Sequence, residues 1–398
     1  MISVNKALSI IKKFKYSVGV EYISPDKAIG RITSENILSK ADNPPFNMSA
    51  MDGYAVFNKP IDNIYNVVDE IYAGNPVNRK IKKNQAVRVF TGSKLPSGTK
   101  SVIIQENIKI LPGGSILHTD NNFRTGKYIR KKGLDFKKNK IIITKGKVLN
   151  SRDIALLISA NCKKIKVFKK PKISILATGD ELVYYQMKKK DGNIYASSLY
   201  MLENLIKLSF AECNYKTIVK DDKRQIKKEL LKAAKSDIII TTGGISVGKK
   251  DLIRHCLKEL GYKEKFWKIM MRPGKPFLFG SLKTKPIFSL PGNPISTYVC
   301  FLIFIFPFLI KLMKLKNIVS KKKAKLSSDI SFKSKRESYL RGFFYNHENE
   351  IIVKCLEKQD SSLIKELANS NCLIKIPRNS TKYVKNSVVE IMLMPQLF

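Results

Sequence analysis

Acidic residues that could take part in chemistry occur at three places in the middle of the chain. Asp180-Glu181, Asp221-Asp222 and Asp251 each follow a short apolar run that predicts a strand. The carboxyl ends of parallel strands meet at one edge of a sheet, so these acids are expected to converge there. Hard oxygen ligands at such an edge suit Mg²⁺ bound together with substrate phosphates. Each acid taken alone could equally be a helix N-cap, and that alternative stays open.

Basic residues follow another predicted strand of the same region. Lys268, Arg272 and Lys275 lie close together in the sequence, the last of them inside Pro273-Gly274-Lys275-Pro276. Guanidinium and ammonium groups in this position can clamp phosphate or another oxyanion. A site for an anionic substrate plus Mg²⁺ needs both signs of charge, and this region supplies both.

One stretch, residues 236–251, organises the rest. Ile238 to Thr242 predicts a strand buried on both faces. Gly243-Gly244, Ser246 and Gly248 follow it, and a helical pattern begins near Asp251. Glycines let backbone N–H groups approach a ligand, and a helix start adds a positive dipole end. The stretch therefore predicts an anion site, although a tight strand-to-helix turn without a ligand would give the same pattern.

Other site chemistries are disfavoured. A Ser-His-Asp hydrolase lacks an evident base for Ser246, because the only histidines are His118, His255 and His347. The six cysteines are widely spaced and form no C-x-x-C pair, which argues against zinc and disulfide frameworks.

The net charge of +42 suggests a polyanion partner. The lysines are spread along the whole chain, however, and no nucleic-acid module is evident, so specific nucleic-acid binding is not expected. The apolar run Val299 to Ile310 is too short to span a membrane, and Pro307 interrupts it, which favours a buried helix. The first residues lack the apolar region of a signal peptide, so a cytoplasmic protein with no membrane association is expected.

The pattern along the chain indicates several domains. Residues 1–40 are predicted to be mostly helical, and a β region follows to about residue 137. Ser151 to Ile158 predicts a helix with Ser151 as its cap. From residue 166 strands and helices alternate, which is typical of a parallel α/β domain. Lys321-Lys322-Lys323 is expected in a polar linker, with short strands from about 325 to the end.

Six motifs in order resemble those of the molybdopterin molybdenumtransferase (MoeA) family, which is similar to the E domain of gephyrin. They are Pro45-x-x-x-Ser49-Ala-Met-Asp-Gly-Tyr-Ala-Val56, Thr91-Gly-x-x-Leu-Pro-x-Gly98, Thr178-Gly-Asp-Glu-Leu182, Thr242-Gly-Gly-Ile-Ser-Val-Gly-x-x-Asp251, Pro273-Gly-Lys-Pro276 and Leu290-Pro-Gly-Asn-Pro294. The resemblance covers essentially the whole chain.

The resemblance implies a multi-domain α/β plus β fold. A split helical domain (1–40 and 138–165) would hold an inserted β domain (41–137), followed by a parallel-sheet α/β molybdopterin-binding domain (166–318) and a small β-barrel (319–398). It implies a homodimer with sites shared across protomers. It also implies insertion of molybdenum from molybdate into adenylylated molybdopterin, with AMP release and Mg²⁺ assistance. Partners would be the molybdopterin adenylyltransferase and molybdenum enzymes. The alternative is a non-catalytic molybdopterin-binding scaffold of the gephyrin type.

The resemblance also implies roles for particular residues. The expected catalytic residues are Asp52, Thr91, Asp135, Glu181, Asp251, Lys268 and Arg272. The expected binding residues are Thr178, Gly179, Asp180, Ser197, Gly243, Gly244, Ser246, Gly248, Pro273, Gly274, Lys275, Pro291, Gly292, Asn293 and Ser361. The expected metal ligands are Glu181, Asp251 and one of Asp221 and Asp222, a choice that the sequence leaves open.

The chain departs from the family pattern at three places. Gly192-Asn-Ile-Tyr-Ala196-Ser197-Ser198 lacks the Asp and the Asn that the family has after its Ile, Arg272 stands where Lys is usual, and Leu134 replaces an acid.

Overall fold

The computed structural model describes residues 1–120, 123–245, 252–315, 321–331, 334–380 and 382–395. Its contacts divide the chain into two compact units. One unit comprises residues 1–21 and 168–398, and the other comprises residues 22–167. The multi-domain α/β plus β class predicted above is confirmed, whereas the four-domain boundaries stay a prediction.

The N-terminal segment is less helical than predicted. Helix α1 covers Val4–Lys13, buries its apolar face and is capped by Ser3, whose hydroxyl accepts from Lys6 N at 3.2 Å. Strand β1 (Val20–Ile23) and a 3₁₀ turn at Pro25–Lys27 follow. The expectation of mostly helix to residue 40 was wrong because the apolar stripe ends with α1 and Pro25 cannot continue a helix.

Residues 22–167 are built around a curled six-stranded sheet. Its strands are β2 (Gly53–Val56), β3 (Ile64–Ile71), β4 (Gln85–Val89), β5 (Ser101–Ile104), β6 (Ile108–Ile110) and β7 (Ile116–His118). They lie in the order β5-β2-β4-β3-β7-β6, with only β3 and β4 parallel. Shorter pairs join Ile37–Leu38 to Ile141–Ile143 and Met48–Ser49 to Ile129–Arg130.

One helix of this unit has its N-cap one residue earlier than predicted. Helix α2 covers Ser151–Ser159, and its cap is Asn150 rather than Ser151. The Asn150 side chain accepts from the Asp153 amide, while the Asp153 carboxylate accepts from Asn150 N, which is a reciprocal capping box. Strand β8 (Ile165–Phe168) then pairs with β1.

Residues 168–315 form the α/β region. Its strands are β9 (Lys172–Thr178), β10 (Glu212–Val219), β11 (Ile238–Thr242), β12 (Lys263–Trp267), β13 (Leu278–Leu282) and β14 (Lys285–Leu290). The order is β10-β9-β11-β14-β13-β12, and the first four strands are parallel. The accompanying helices are α3 (Ser197–Leu208), α4 (Lys223–Ala233) and α5 (Leu252–Glu259). A small ribbon pairs Leu182–Val183 with Ile194–Tyr195.

A long apolar helix completes this region. Its parts are α6 (Pro294–Cys300), a π-helical turn (Phe301–Ile305) and α7 (Phe306–Leu312). It is long and apolar enough to cross a membrane, but 72% of its apolar window is buried inside the protein. It packs in the largest hydrophobic core, which confirms the predicted buried helix.

The last region is a closed five-stranded barrel. Its strands are β15 (Lys321–Leu326), β16 (Glu337–His347), β17 (Glu350–Cys355), β18 (Cys372–Ile376) and β19 (Val388–Leu393), with α8 (Ile364–Ala368) before β18. The ring β16-β17-β15-β19-β18 closes by pairing β18 with β16. The linker predicted at 321–323 was wrong: these lysines are exposed on β15, while Ala324 and Leu326 enter the core. Met271–Arg272 pairs with β16, and Ile330–Ser331 with Lys382–Tyr383.

Candidate functional site

A cavity of about 760 Å³ lies at the carboxyl edge of the parallel sheet. Three neighbouring strands end there in register, since Ala177 pairs with Thr242 and Thr242 with Leu290. This is the position at which open α/β sheets bind ligands. The cavity brings together these predicted site residues: Thr178, Gly179, Glu181, Ser197, Asp221, Gly243, Gly244, Gly292 and Asn293.

The Gly243-Gly244 turn is forced by close packing. Gly243 has φ +88°, and a Cβ on it would lie 2.3 Å from the carbonyl oxygen of Thr178. A Cβ on Gly244, at φ +63°, would lie 2.9 Å from the Thr178 hydroxyl oxygen. Packing of two strand ends thus accounts for both glycines. Their presence alone does not require a ligand.

Thr178 gives the first indication that the cavity binds a ligand. Its side chain lines the cavity, it is buried, and its hydroxyl oxygen has no hydrogen-bond partner among the described residues. Most buried polar groups in proteins are hydrogen-bonded, because an unpaired one costs free energy. A ligand in the cavity would give this hydroxyl the partner that the folded chain does not.

Two helices begin at the cavity wall. At α3, the cap residue Ala196 offers no side-chain acceptor, so the first amides of the helix have no side-chain partner there. At α6, Asn293 accepts from Ile295 N at 3.2 Å. The Ser198 hydroxyl donates to Gly292 O at 3.2 Å and ties the two helix starts together. Helix N-termini carry partial positive charge, so this wall favours an anionic group.

The four described acids of this region have different roles. Glu181 and Asp221 line the cavity. Asp180 is exposed, and its carboxylate accepts from Asp221 N at 3.0 Å, so it fixes the loop rather than the cavity wall. Asp222 is the N-cap of α4 and accepts from Gln225 N at 2.7 Å. Of the two acids between which the sequence left the choice open, Asp221 thus lies in the cavity wall and Asp222 at a helix start.

Three predicted residues, Ser246, Gly248 and Asp251, lie outside the described residues. Within the described ranges, no group of three or more His, Cys, Asp or Glu side chains is close enough to hold a metal ion. Two carboxylates at one cavity wall still fit Mg²⁺, which proteins usually bind through one or two carboxylates while substrate phosphates complete the shell.

A second pocket of about 220 Å³ contains two of the three predicted basic residues. Arg272, Pro273, Gly274 and Lys275 line one side, and Ser361 lines the other. The pocket adds Arg336, Gln359 and Asp360, none of which was predicted from sequence. Predicted Pro291 lines neither cavity, but its carbonyl accepts from the Thr242 and Thr297 hydroxyls, at 2.9 and 2.6 Å, and so holds the turn before Gly292.

A buried arginine holds the loop of this pocket. Arg341 is 1% exposed and donates to the carbonyls of Lys358, at 2.7 Å, and Asp360, at 3.1 Å. Gln359 bonds the Arg341 backbone in both directions, at 2.9 and 3.0 Å. Nothing in the strand pattern of β16 distinguished Arg341 as a loop anchor, because its partners lie far along the chain.

Lys268 stands apart from both pockets. It follows β12, and its ammonium lies 3.8 Å from the centroid of the Trp267 ring.

The predicted residues of the other unit form their own contacts. One carboxylate oxygen of Asp52 accepts from both the amide and the hydroxyl of Thr91, each at 2.7 Å. These two bonds lower the pKa of Asp52 below its ordinary value and keep the carboxylate ionised. Asp135 accepts from the Asn43 side chain at 3.1 Å. The structure thus pairs Asp52 with Thr91, while Asp135 is held by a residue that sequence reasoning did not select.

Several cavity residues were missed by sequence reasoning. They are Leu182, Ile194, Tyr195, Ser198, Leu199, Pro294, Ser362 and Ile364. Ser198 and Pro294 lie directly beside predicted residues at helix starts, which is the signal that could have found them. Ser362 and Ile364 come from the barrel region, and no local pattern links them to the sheet edge.

Three family models match the chain. They are the MoeA N-terminal region (domain I and II) at residues 2–161, a probable molybdopterin binding domain at 174–311, and the MoeA C-terminal region (domain IV) at 323–394. The chain is 32% identical to a molybdopterin molybdenumtransferase of Haemophilus influenzae, over 94% of each chain. It is 30% identical to gephyrin of Dictyostelium discoideum over 99% of this chain and 62% of that one.

Solved structures agree with these relatives. The crystal structure of a molybdopterin biosynthesis MoeA protein from Pyrococcus horikoshii matches with a TM-score of 0.87, 29% identity and 99% coverage of both chains. A second structure of this description, from the same organism, matches with a TM-score of 0.81.

Proposed function

The chain belongs to the molybdopterin molybdenumtransferase family and acts in molybdenum cofactor biosynthesis, and from this premise we propose the reaction that it performs. It takes molybdenum from molybdate, inserts it into adenylylated molybdopterin and releases AMP. Two dithiolene sulfurs replace two oxygen ligands of molybdate, which leave as water, and one water is consumed as the phosphoanhydride bond is hydrolysed to AMP and the phosphate of molybdopterin.

One observation carries the proposal. Two consecutive serines join the two cavities, because Ser361 lines the basic pocket and Ser362 lines the cavity of about 760 Å³. A large cavity with acids and helix starts thus adjoins a small pocket with Arg272, Lys275 and Arg336. The large cavity suits a pterin nucleotide, and the small one suits a tetrahedral dianion such as molybdate.

Each side chain then has a task. Thr178 and the starts of α3 and α6 bind and orient the phosphate-bearing end of the substrate. The basic pocket offsets the charge of molybdate as it approaches a substrate that is itself anionic. Arg341 keeps the Ser361 loop in place. Glu181 and Asp221 would hold Mg²⁺, which when bound neutralises phosphate charge and eases departure of AMP.

Turnover of the purified protein tests the proposal. Adenylylated molybdopterin is incubated with molybdate and Mg²⁺, and AMP and finished cofactor are both quantified. AMP release that depends on molybdate is the expected result. Tight binding of the adenylylated substrate without AMP release would instead support the scaffold function of the gephyrin type. Chelation of Mg²⁺ and its re-addition test the metal separately, since the metal dependence rests on two carboxylates alone.

Assembly and location are part of the same proposal. We propose a cytoplasmic homodimer that shares its sites across protomers, receives substrate from the adenylyltransferase and passes product to molybdenum enzymes. Mixing Asp52→Ala chains with Glu181→Ala chains should restore part of the activity, because one of the two shared sites would then be intact. No recovery in verified mixed dimers would contradict shared sites.

A further inference from the structure

The large cavity has an apolar stretch of wall that neither a phosphate group nor Mg²⁺ would use. Ile194, Tyr195 and Ile364 line the cavity, and their side chains are 52%, 44% and 45% exposed. Single exposed apolar residues are common on protein surfaces, but three around one cavity form a patch. Small-molecule sites are lined largely by apolar and aromatic side chains. The patch therefore favours a ligand that has an apolar part of its own.

Tyr195 is the aromatic member of this patch, and its ring has no partner within the protein. Within the described ranges it makes no ring contact, and its hydroxyl group has no hydrogen-bond partner. Tyr185, an exposed tyrosine of the same segment, differs in both respects. Its ring packs edge-on against Tyr200, with centroids 4.9 Å apart, and its hydroxyl accepts from Gln186 Nε2 at 2.9 Å. Tyr195 thus leaves its ring uncovered in the wall of the cavity.

The backbone holds Tyr195 in place through the small ribbon, in which it pairs with Val183. Ile194 N donates to Glu181 O at 2.8 Å, and Ala196 N donates to Val183 O at 3.0 Å. Bonds on both sides of Tyr195 thus fix the point from which its side chain departs. A tyrosine side chain has only two rotatable bonds, so little conformational freedom remains to be lost when a ligand binds.

The wall that favours an anionic group begins directly after Tyr195. Ala196 is the N-cap residue of α3 and offers no side-chain acceptor, so the first amides of the helix are available to a phosphate. At most about 7 Å of backbone separates the Cα atoms of Tyr195 and Ser197. In a nucleotide one sugar separates the base from the phosphate, which is a comparable span. A ligand that carries both a phosphate and a planar ring can therefore contact the helix start and Tyr195 at the same time.

We propose that Tyr195 stacks on a fused heteroaromatic ring of the substrate, either the adenine or the pterin, and so selects a ring-bearing phosphate over a bare sugar phosphate. The proposal deepens the proposed function and rests on it, because that function supplies both rings. Adenine and pterin share the chemistry that an aromatic side chain recognises, since each is a flat π system. Tyr195→Ala should weaken binding of the ring compound about five- to hundredfold, which is the range for loss of a base–aromatic stack.

Calorimetric titration with three phosphate compounds tests the proposal. AMP carries adenine, neopterin monophosphate carries a pterin, and ribose 5-phosphate carries no ring system of this kind. Tyr195→Leu keeps an apolar side chain but removes the π face. It should weaken binding of AMP, of neopterin monophosphate or of both about two- to tenfold, and leave ribose 5-phosphate binding unchanged. The compound that responds identifies the ring that stacks. Tyr195→Phe should retain the native affinities, because the hydroxyl group has no partner to lose.

Tyr185→Leu is the matched control. Tyr185 is 56% exposed on the same segment, but it is not among the described residues that line the cavity. Its replacement should change the affinity for none of the three compounds. If Tyr195→Leu weakened ribose 5-phosphate as much as the ring compounds, Tyr195 would only support the ribbon, and the proposal would be overturned. The absence of any loss for both ring compounds would overturn it as well.

Turnover separates failure of the stacking from failure of the proposed function. Tyr195→Leu should raise the KM for adenylylated molybdopterin more than it lowers kcat, because stacking binds the ring in the ground state and the transition state alike. Turnover with an unchanged KM contradicts the stacking alone, including the case in which none of the three compounds binds measurably. A native protein that binds a ring compound through Tyr195 but releases no AMP contradicts the proposed function alone. One that neither binds these compounds nor turns over contradicts both.

Discussion

Asp221 and Asp222 are adjacent in sequence, but the structure gives them different tasks. Asp221 lines the cavity of about 760 Å³, whereas Asp222 caps α4 through Gln225 N at 2.7 Å. Substitution of an N-cap aspartate by alanine costs about 0.5–2 kcal/mol, typically about 1. For a unit of this size, 1 kcal/mol lowers the melting temperature by about 2–4 °C. Asp222→Ala should therefore lower the melting temperature by a few degrees, with turnover nearly unchanged.

Asp221→Asn should show the opposite behaviour. The amide keeps the size of the side chain, and the backbone bond from Asp221 N to Asp180 is unaffected. The melting temperature should stay within about 1 °C of the native value, because surface substitutions usually change stability by less than about 0.5 kcal/mol. Removal of a charge from the site should slow AMP release about a hundredfold or more, by comparison with other lost electrostatic groups.

Both variants are measured for melting temperature and for molybdate-dependent AMP release. Asp222→Asn is the matched control, because asparagine caps helices about as well as aspartate. It should resemble the native protein in both measurements. The reasoning is refuted if Asp222→Asn loses turnover while Asp221→Asn keeps it, because the cavity acid would then be Asp222.

Three further predictions rest on single contacts. His118 is 5% exposed, and burial lowers its pKa. The unfolded chain therefore takes up the proton first, and the free energy of unfolding should fall as the pH drops below about 6.5. His118→Gln should flatten the melting-temperature profile between about pH 7.5 and 5.5, and an unchanged profile would contradict this. Gly243→Ala should lower the free energy of unfolding, measured in denaturant, by about 1–3 kcal/mol more than Gly261→Ala does. Both glycines have positive φ, but only a Cβ at Gly243 would meet a backbone atom, at 2.3 Å. Equal losses in the two variants would contradict close packing at Gly243. Duplex DNA binding should be weak and lost at moderate salt, and tight sequence-specific binding at physiological salt would overturn this.

The local sequence pattern was sufficient to predict an element where the residues of its core face recur at a regular period. The predicted strand Ile238 to Thr242 has the observed bounds of β11, and the predicted helix Ser151 to Ile158 ends within one residue of α2. Pattern failed at Lys321-Lys322-Lys323, because three charged side chains suggested a solvated linker. The barrel tolerates them because its outer surface meets solvent, and β15 gains its pairing from β19, which lies far along the chain.

Some residues of the site could be predicted from local sequence pattern, and others could not because their positions depend on long-range contacts. Residues at strand ends could be grouped at one sheet edge, because parallel strands share a direction. The difference between Asp221 and Asp222 depends on where α4 begins to within one residue, which sequence patterns do not resolve. Arg336 and Ser362 line the pockets from segments beside the barrel strands, and Arg341 holds the loop between them from within a strand, so their places depend on long-range pairing that no local signal records.

The net charge of the whole chain and the charge of the large cavity differ in sign and have different physical causes. Of 398 residues, 74 are Lys or Arg, spread along the sequence. Among the described residues that line the large cavity, none is Lys or Arg, and the charged ones are Glu181 and Asp221. A lysine in that wall would sit beside helix starts that already carry partial positive charge, and it would compete for the carboxylates that are proposed to hold Mg²⁺. The surface accepts lysine almost everywhere because an exposed charge costs little there. The lysine-rich surface is therefore compatible with any polyanion, whereas the charges of the cavity are compatible with a phosphate-bearing substrate and its cation. The basic groups that are proposed to bind the oxyanion lie in the pocket of Arg272, Lys275 and Arg336.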